Sequence, residues 1–438
     1  IFDLFTLLGG LGLFLYGMDM MGKGLESAAG NRLKTILEKL TSNRLMGVLV
    51  GTLVTCVIQS SSATTVMVVG FVNAGLMNLS QAFGVILGAN IGTTITAQII
   101  AFDLSQWAPL FIIIGVVPLL FSKKQSIQSY FTIVAGFGIL FFGMNTMSTS
   151  MEPLRDSQWF LSFISSFENP IMGVLVGVIF TAIIQSSSAS IGILQALAAS
   201  GVIGVSAGHS AGLYLVLGAN IGTCITAVLA STNGNTMAKR AAVIHVMANI
   251  IGTIWFGLLI AFVPIPEIVA SWSPNDPARI IANFHTIFNV VNTILLLPFG
   301  GLVIKFINKI IKQNKNSDED DNRLLYLDDR IVDTPTMASI SIHQELGHLA
   351  DKTYRNLERA LESFSKQSED MAEKVFSEEK SINYIASEIV RFLVKLQAMT
   401  EISDTERLEI FRVHEVVSNI ERIGDHAENI AEYTLDCK

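Results

Sequence analysis

Gln59-Ser60-Ser61-Ser62-Ala63 reappears as Gln185-Ser186-Ser187-Ser188-Ala189, 126 residues later, each copy in the middle of a long, uncharged apolar stretch punctuated by glycine. Consecutive polar side chains in hydrocarbon are costly, and one such stretch would read as packing glue between helices. The same offset pairs Gly12, Gly17 and Met18 with Gly138, Gly143 and Met144, and Gly47-Val48-Leu49-Val50-Gly51 with Gly173-Val174-Leu175-Val176-Gly177. Thr55 and Gly75 likewise match Thr181 and Gly201. After a four-residue insertion, Gly88-Ala89-Asn90-Ile91-Gly92-Thr93 recurs as Gly218-Ala219-Asn220-Ile221-Gly222-Thr223, at an offset of 130. Similarity of this reach is a duplicated structural unit. Each unit supplies a polar hairpin and a polar helix, and two units facing each other would enclose one site near the membrane midplane, as in a transporter.

Apolar segments fall at about 3–21, 45–76, 81–102, 107–121, 131–150, 171–202, 211–231, 241–263 and 280–304. A helix crosses the hydrocarbon core in roughly 20 residues. The segments 45–76 and 171–202 run to 32 residues each with the serines at their centres, so each predicts a helix, a break and a returning helix: a re-entrant hairpin lining a cavity. Loop charges orient the scheme. Lys23, Arg32, Lys34, Lys39 and Arg44 outnumber Glu26 and Glu38 before the first hairpin, whereas Arg155 faces Glu152, Asp156 and Glu168 before the second. Equivalent loops are therefore expected on opposite sides, with Lys123-Lys124, Lys239-Arg240 and Lys305, Lys309, Lys312 and Lys315 inside and Asp103, Glu267 and Asp276 outside. The reading is an all-α, polytopic membrane protein of two inverted-topology repeats with re-entrant helical hairpins, plus a cytoplasmic three-helix bundle.

Composition agrees. Mean hydropathy is +0.52 and only 15% of residues are charged. Residues 337–438 hold 12 Lys and Arg against 20 Asp and Glu, leaving 17 of each sign in the preceding 336. The transmembrane domain is assigned to 1–312 (repeat one about 3–121, repeat two about 131–240, further helices 241–304) and the helical bundle to 336–438. Between them, 313–335 reads as an acidic linker with nothing to pack a core. Ile1 lies in an apolar run without a basic n-region or cleavage site, so the start reads as the trimmed beginning of a membrane helix rather than a signal peptide. Cys56, Cys224 and Cys437 have neither metal-ligand nor disulfide spacing and carry no functional signal.

Residues 47–75 and 173–201 contain no Asp, Glu, Lys, Arg or His. A ligand there must be held by hydroxyls, amides and backbone groups. Helices beginning at or just after the serines would aim free N–H groups and a positive dipole end into the cavity, which suits an oxyanion. Side-chain oxygens of Gln, Ser, Thr and Asn suit a hard monovalent cation. A multiply charged anion without a Lys or Arg partner needs co-bound cations, so the electrostatics predict cation-coupled anion uptake. The lack of ionisable groups argues against proton coupling, and the closed site without a charged ring argues against a channel. No Ser-His-Asp constellation, P-loop or nucleophile elbow speaks for an enzyme.

The doubled Gln-Ser-Ser-Ser hairpins followed by Gly-Ala-Asn-Ile-Gly-Thr resemble the type II sodium-phosphate cotransporter family over nearly all of 1–304. The resemblance implies phosphate binding by Ser60, Ser61, Ser62, Ser186, Ser187 and Ser188, and sodium binding by Gln59, Gln185, Thr64, Asn90, Thr93, Asn220, Thr223 and Thr226. It implies inorganic phosphate and co-transported sodium ions as partners, in the lipid bilayer of a bacterial cytoplasmic membrane. No nucleic acid is expected, and homodimerisation is left open. Transport of another oxyanion, or a phosphate-sensing scaffold, stands as the alternative. His-x-x-x-Asn elements, frequent after each half in the family, here both follow the second half (His245 to Asn249, His285 to Asn289), and the histidines are read as packing residues.

Apolar spacing in about 337–364, 369–400 and 405–434 predicts three antiparallel helices, the last started by a capping box from Ser403 to Glu406. Glu421-Arg422-Ile423-Gly424-Asp425 in the last helix resembles the acidic motif of PhoU-like domains, which implies a divalent or ferric metal at Glu421 and Asp425. That family stacks two such units, and one is present. The residues alone also read as a solvated acidic face. His343, Glu345 and His348 lack a shared helix face for zinc and read as surface.

Overall fold

A computed structural model describes residues 2–29, 43–73, 75–121, 124–151, 166–205, 210–232, 234–312, 324–327, 335–398 and 404–436. The described residues are helical throughout, without strands. They form two compact units: Ile1–Val69, Met77–Asn233 and Ala238–Ile310 in one, Gly70–Leu76, Gly234–Met237 and Ile311–Lys438 in the other. In the first unit, six helical stretches are long and apolar enough to cross a bilayer: Leu4–Leu25, Leu79–Ile100, Ile127–Met151, Ala211–Ser231, Thr236–Ile260 and Pro277–Ile310. Large apolar side chains such as Phe5, Phe121, Ile183 and Phe262 point outward, as lipid requires. The protein is a multi-pass membrane protein.

Helix α1 (Phe2–Ala29) packs along α6 (Gln125–Met151) through small residues seven apart: Gly10, Gly17 and Gly24 on one, Ser129, Gly136 and Gly143 on the other. Gly10 lies against Met147, Gly17 against Leu140 and Gly24 against Ile133, so the helices run antiparallel. A Cβ on Gly17 would meet Gly136 O at 2.7 Å, and one on Gly143 would meet Gly10 O at 2.7 Å. Only glycine lets the backbones approach this closely. Helix α5 (Ala108–Phe121) packs on the same α6, Gly115 against Ala135.

Both overlong segments break where the sequence predicts. The first gives α2 (Arg44–Ile58) and α3 (Ser61–Asn73), the second α7 (Pro170–Ile184) and α8 (Ser187–Ala199). Asn43 and Asn169 cap α2 and α7 through side-chain oxygens that accept first-turn N–H groups. α4 (Leu79–Ile100), opened by an Asn78/Gln81 capping box, lies parallel to α2: Gly47 is beside Gly84, Gly88 beside Thr52 and Gly92 beside Thr55. In the second copy α9 (Ala211–Gly222) lies parallel to α7, with Gly173 beside Tyr214 and Gly222 beside Thr181. The segment ends are tied as well. Arg44 Nε donates to Ser80 Oγ at 2.7 Å, and Ser210 N donates to Glu168 Oε2 at 2.9 Å.

The copies part company next. α4 is continuous through Thr93, whereas in the second copy α9 passes through a tightened turn at Thr223 and Cys224, still right-handed helical in backbone, into α10 (Ile225–Ser231). α11 (Thr236–Phe262), α12 (Ile265–Trp272), α13 (Pro277–Leu296) and α14 (Gly300–Ile310) complete the unit. α13 runs antiparallel to α4, with Gln98 Nε2 donating to Asn283 Oδ1 (3.1 Å) and Thr293 Oγ1 to Leu87 O (3.5 Å). Phe256 packs edge-on against Phe284 and Phe288 in the core.

The tail consists of α15 (Pro335–Lys366), α16 (Glu369–Gln397) and α17 (Asp404–Asp436), close to the spans read from apolar spacing. Ile342, Leu349, Ile382, Ile385, Ile389 and Val413 form its core. Two expectations need correction. The linker is not empty of core residues, because Leu327 is 6% exposed and joins this cluster. Glu345 is no surface residue either: it is fully buried, and its Oε2 accepts the N–H groups of Leu325, Tyr326 and Leu327 (2.9, 2.7 and 3.1 Å) while Oε1 meets His348 Nδ1 at 2.9 Å. Three backbone donors on one carboxylate repay its burial, which composition alone cannot reveal. Ser403 of the expected capping box lies outside the described residues.

Candidate functional site

At each break the chain makes the same turn. Gln59 (φ 59°, ψ 22°) and Gln185 (φ 61°, ψ 19°) both occupy the left-handed region, which costs a non-glycine residue roughly 1–2 kcal/mol. Their N–H groups close onto Thr55 O (2.8 Å) and Thr181 O (2.6 Å). Glycine would occupy this conformation without that cost. The next residue caps the returning helix: Ser60 Oγ accepts from Ala63 N (3.1 Å) and Ser186 Oγ from Ala189 N (3.2 Å). That leaves the N–H groups of Ser61, Ser62, Ser187 and Ser188 as free first-turn donors at two helix starts.

The two tips meet. Ser62 Oγ donates to Gln185 O at 3.1 Å, joining motifs 123 residues apart. Ser61, Ser187 and Ser188 are buried, yet their hydroxyls make no hydrogen bond among the described residues. Gln59 Oε1 accepts from Thr96 Oγ1 at 2.7 Å, and its Nε2 donates to Cys56 O. Thr64 Oγ1 accepts from Thr55 Oγ1 (3.0 Å) and donates to Ser60 O (3.1 Å). Gln185, by contrast, is exposed.

The paired asparagines sit one helix behind. Asn90 Nδ2 donates to Asn249 Oδ1 (3.0 Å), whose own Nδ2 donates to Cys224 Sγ (3.1 Å), and that thiol faces Asn220 O (3.5 Å). Asn220 Nδ2 donates to Val216 O (2.8 Å), and its Oδ1 lies 3.3 Å from His285 Nε2. Thr93 Oγ1 turns back to Ala89 O (3.0 Å), Thr226 Oγ1 to Thr223 O (2.9 Å), and Thr223 Oγ1 is buried without a partner among the described residues. The His-x-x-x-Asn elements thus reach the site asparagines: Asn249 meets Asn90 and His285 meets Asn220, beyond the packing role read for the histidines. His245 is buried with neither ring nitrogen bonded among the described residues. Sequence reasoning also missed Thr96 and Cys224. The signal for Thr96 was available, since it lies 130 residues before Thr226, at the offset that aligns the two Gly-Ala-Asn-Ile-Gly-Thr motifs.

In the tail, Glu421 is half-buried and Asp425 exposed on α17. Among the described residues no group of three or more His, Cys, Asp or Glu is arranged to hold a metal ion. The buried acid here is Glu379 of α16. It is 1% exposed, packed against Gly424, with Oε1 unpartnered among the described residues and Oε2 receiving Asn356 Nδ2 at 3.4 Å. Burial first, and then the charges of Glu428, Asp425 and Glu421, push its carboxyl up to about 7 against the opposing pull of Asn356.

Comparison with known proteins follows the same division. Residues 13–149 and 151–266 match the Na+/Pi-cotransporter family, and 346–434 match the PhoU domain. The chain is 36% identical to "Uncharacterized protein YqeW" of Bacillus subtilis over 68% of its length and 95% of that protein's. It is 26% identical to "Putative inorganic phosphate export protein YjbB" of Escherichia coli (strain K12), over 99% of this chain and 78% of the other. A stretch of 97 residues, 22% of this chain and 15% of the relative, is 38% identical to "Sodium-dependent phosphate transport protein 2A" of Rattus norvegicus. No solved structure matches the chain.

Proposed function

Because the chain belongs to the Na+/Pi-cotransporter family, we propose that it is a sodium-coupled symporter that carries inorganic phosphate by alternating access. The observation that carries this reading is the contact of the two tips through Ser62 and Gln185, beside the unengaged hydroxyls of Ser61, Ser187 and Ser188. Phosphate is held there by Ser60, Ser61, Ser62, Ser186, Ser187 and Ser188 together with the free N–H groups of α3 and α8. Two opposed helix starts supply oriented donors and positive dipole ends without a cationic side chain. The remaining negative charge needs cations, and the carbonyl and hydroxyl oxygens of Gln59, Gln185, Thr64, Asn90, Thr93, Asn220, Thr223 and Thr226 are the ligands that suit sodium.

The two duplicated segments of the membrane domain are read as inverted repeats with re-entrant hairpins. Three features support this. Each hairpin has its ends tied together, Arg44 to Ser80 and Glu168 to Ser210. Ser80 and Ser210 are counterparts at the 130-residue offset, yet one tie carries a cation and the other an anion, as cytoplasmic and external faces demand. The first helices of the repeats, α1 and α6, run antiparallel. On this topology Lys305, Lys309 and Lys312 at the end of α14 and the tail that follows are cytoplasmic.

Direction follows the sodium gradient. An inward gradient drives import, whereas the printed name of the YjbB relatives speaks of export. Labelled phosphate movement in proteoliposomes, with sodium, potassium or proton gradients imposed inward and then outward, separates the cases. Sodium-driven flux that reverses with the gradient upholds symport. Phosphate efflux indifferent to sodium would replace it with a sodium-independent exporter, and silence toward phosphate but not toward sulfate would change the substrate.

A further inference from the structure

The two copies of the site differ at a place where their sequences agree. The backbone at Gln59 and Gln185 is the same, and Thr96 and Thr226 are counterparts within Ile95-Thr96-Ala97 and Ile225-Thr226-Ala227. In the first copy Thr96 Oγ1 reaches across to Gln59 Oε1 at 2.7 Å, both residues are buried, and α4 is unbroken through the contact. In the second copy Thr226 Oγ1 turns back to Thr223 O, the helix tightens into a turn at Thr223 and Cys224 while its backbone stays right-handed helical, and the Gln185 side chain is exposed without a hydrogen bond among the described residues. The released half also holds two orphaned hydroxyls. Thr181 and Thr223 are buried and unpartnered among the described residues, whereas Thr55 and Thr93, their counterparts, are both bonded.

Equivalent residues in two arrangements within one molecule are two states of one device. We propose that Thr96 and Thr226 are positioning residues that latch the hairpin tips through Gln59 and Gln185, and that the transport cycle makes one latch as it releases the other. In the state described here the first tip is latched and the second is free. The inference rests on the alternating-access reading above and assigns that motion to two hydroxyls. A latched glutamine holds its tip against the neighbouring helix. A free one lets the tip move, and because the repeats are read as inverted, exchanging the latches exchanges the side on which the site is loose.

Hydrogen exchange of the full chain in lipid nanodiscs tests this independently of transport, reading peptides that cover 59–65 and 185–190. Thr96→Val is expected to speed exchange at the first tip by about tenfold, the equivalent of one hydrogen bond, and to slow it at the second as that latch becomes favoured. Thr226→Val is expected to do the reverse, protecting the first tip. Thr96→Ser and Thr226→Ser keep the hydroxyl and should behave as the wild type. Variants that each disturb only their own tip, or shift both tips the same way, would overturn the exchange of latches, since a local structural role or a lost sodium ligand has no reason to protect the opposite tip. Wild-type flux measured in parallel reports on the transporter reading itself, so the two ideas fail separately.

Discussion

The tip at Gln59 and the tip at Gln185 share a backbone turn, a serine cap and a pair of free helix starts, yet one glutamine side chain is buried with two hydrogen bonds and the other is exposed with none among the described residues. The turn is set by neighbours along the chain: a strained glutamine, a capping serine and the preceding threonine's carbonyl. The side chain's partner lies 37 residues away on another helix, and that helix is regular in one half and tightened at Thr223 and Cys224 in the other. Local chemistry makes the tips alike, and tertiary packing makes them different.

The harshest way to break the comparison is at the surface where the halves are alike. Gly17 and Gly143 are counterparts, and a Cβ on either would meet backbone at 2.7–2.8 Å on the opposite helix. Gly17→Val and Gly143→Val should each destabilise the protein by on the order of 3 kcal/mol, and by equal amounts, read as thermal unfolding midpoints in detergent. Unequal losses would show that the α1–α6 pairing is less symmetric than its contacts. Next come the serines. Ser61→Ala and Ser187→Ala should each lower sodium-driven uptake by about tenfold or more while leaving expression intact, because each removes one hydroxyl from an oxyanion. Uptake unaffected in both would remove the hairpins from the chemistry.

A smaller and sharper effect separates the glutamines. Gln59→Ala should cost about 1–2 kcal/mol of stability by removing two hydrogen bonds in a buried setting, and Gln185→Ala close to nothing. Equal losses in the same thermal assay would mean that both tips are latched in solution. The smallest effect lies in the tail. The Glu379 carboxyl sits well above its unfolded range, at about 7, so the folded bundle binds this proton more tightly than the unfolded chain does. Its stability therefore falls as pH rises from about 4.5 toward 7 and levels above that. Glu379→Gln should slow amide exchange in α16 at pH 7 and above and make no difference near pH 4.5. A variant that exchanges as the wild type does at both pH values would place Glu379 in water.

Much of this was legible in the chain. The Gln-Ser-Ser-Ser runs locate the helix breaks because a polar run inside an overlong apolar segment cannot continue as one lipid-facing helix, and α15 to α17 follow from apolar spacing. The rest depends on contacts that no local pattern encodes. Asn90 finds Asn249 at a separation of 159 residues, and Glu345 is buried because three backbone donors from an acidic linker wrap its carboxylate. The same Gly-Ala-Asn-Ile-Gly-Thr sequence also runs through a continuous helix once and ends one once. Thr96 escaped notice because a threonine in an apolar helix usually bonds its own preceding turn, as Thr93 does.

The most direct test of the central claim, one phosphate site shared by two tips, is equilibrium binding of labelled phosphate to the purified full chain in sodium and in potassium, with wild type, Ser61→Ala and Ser187→Ala side by side. The account predicts sodium-dependent binding of one phosphate per chain, lost when either tip is altered. Two phosphates per chain, or one that survives both substitutions, would contradict it.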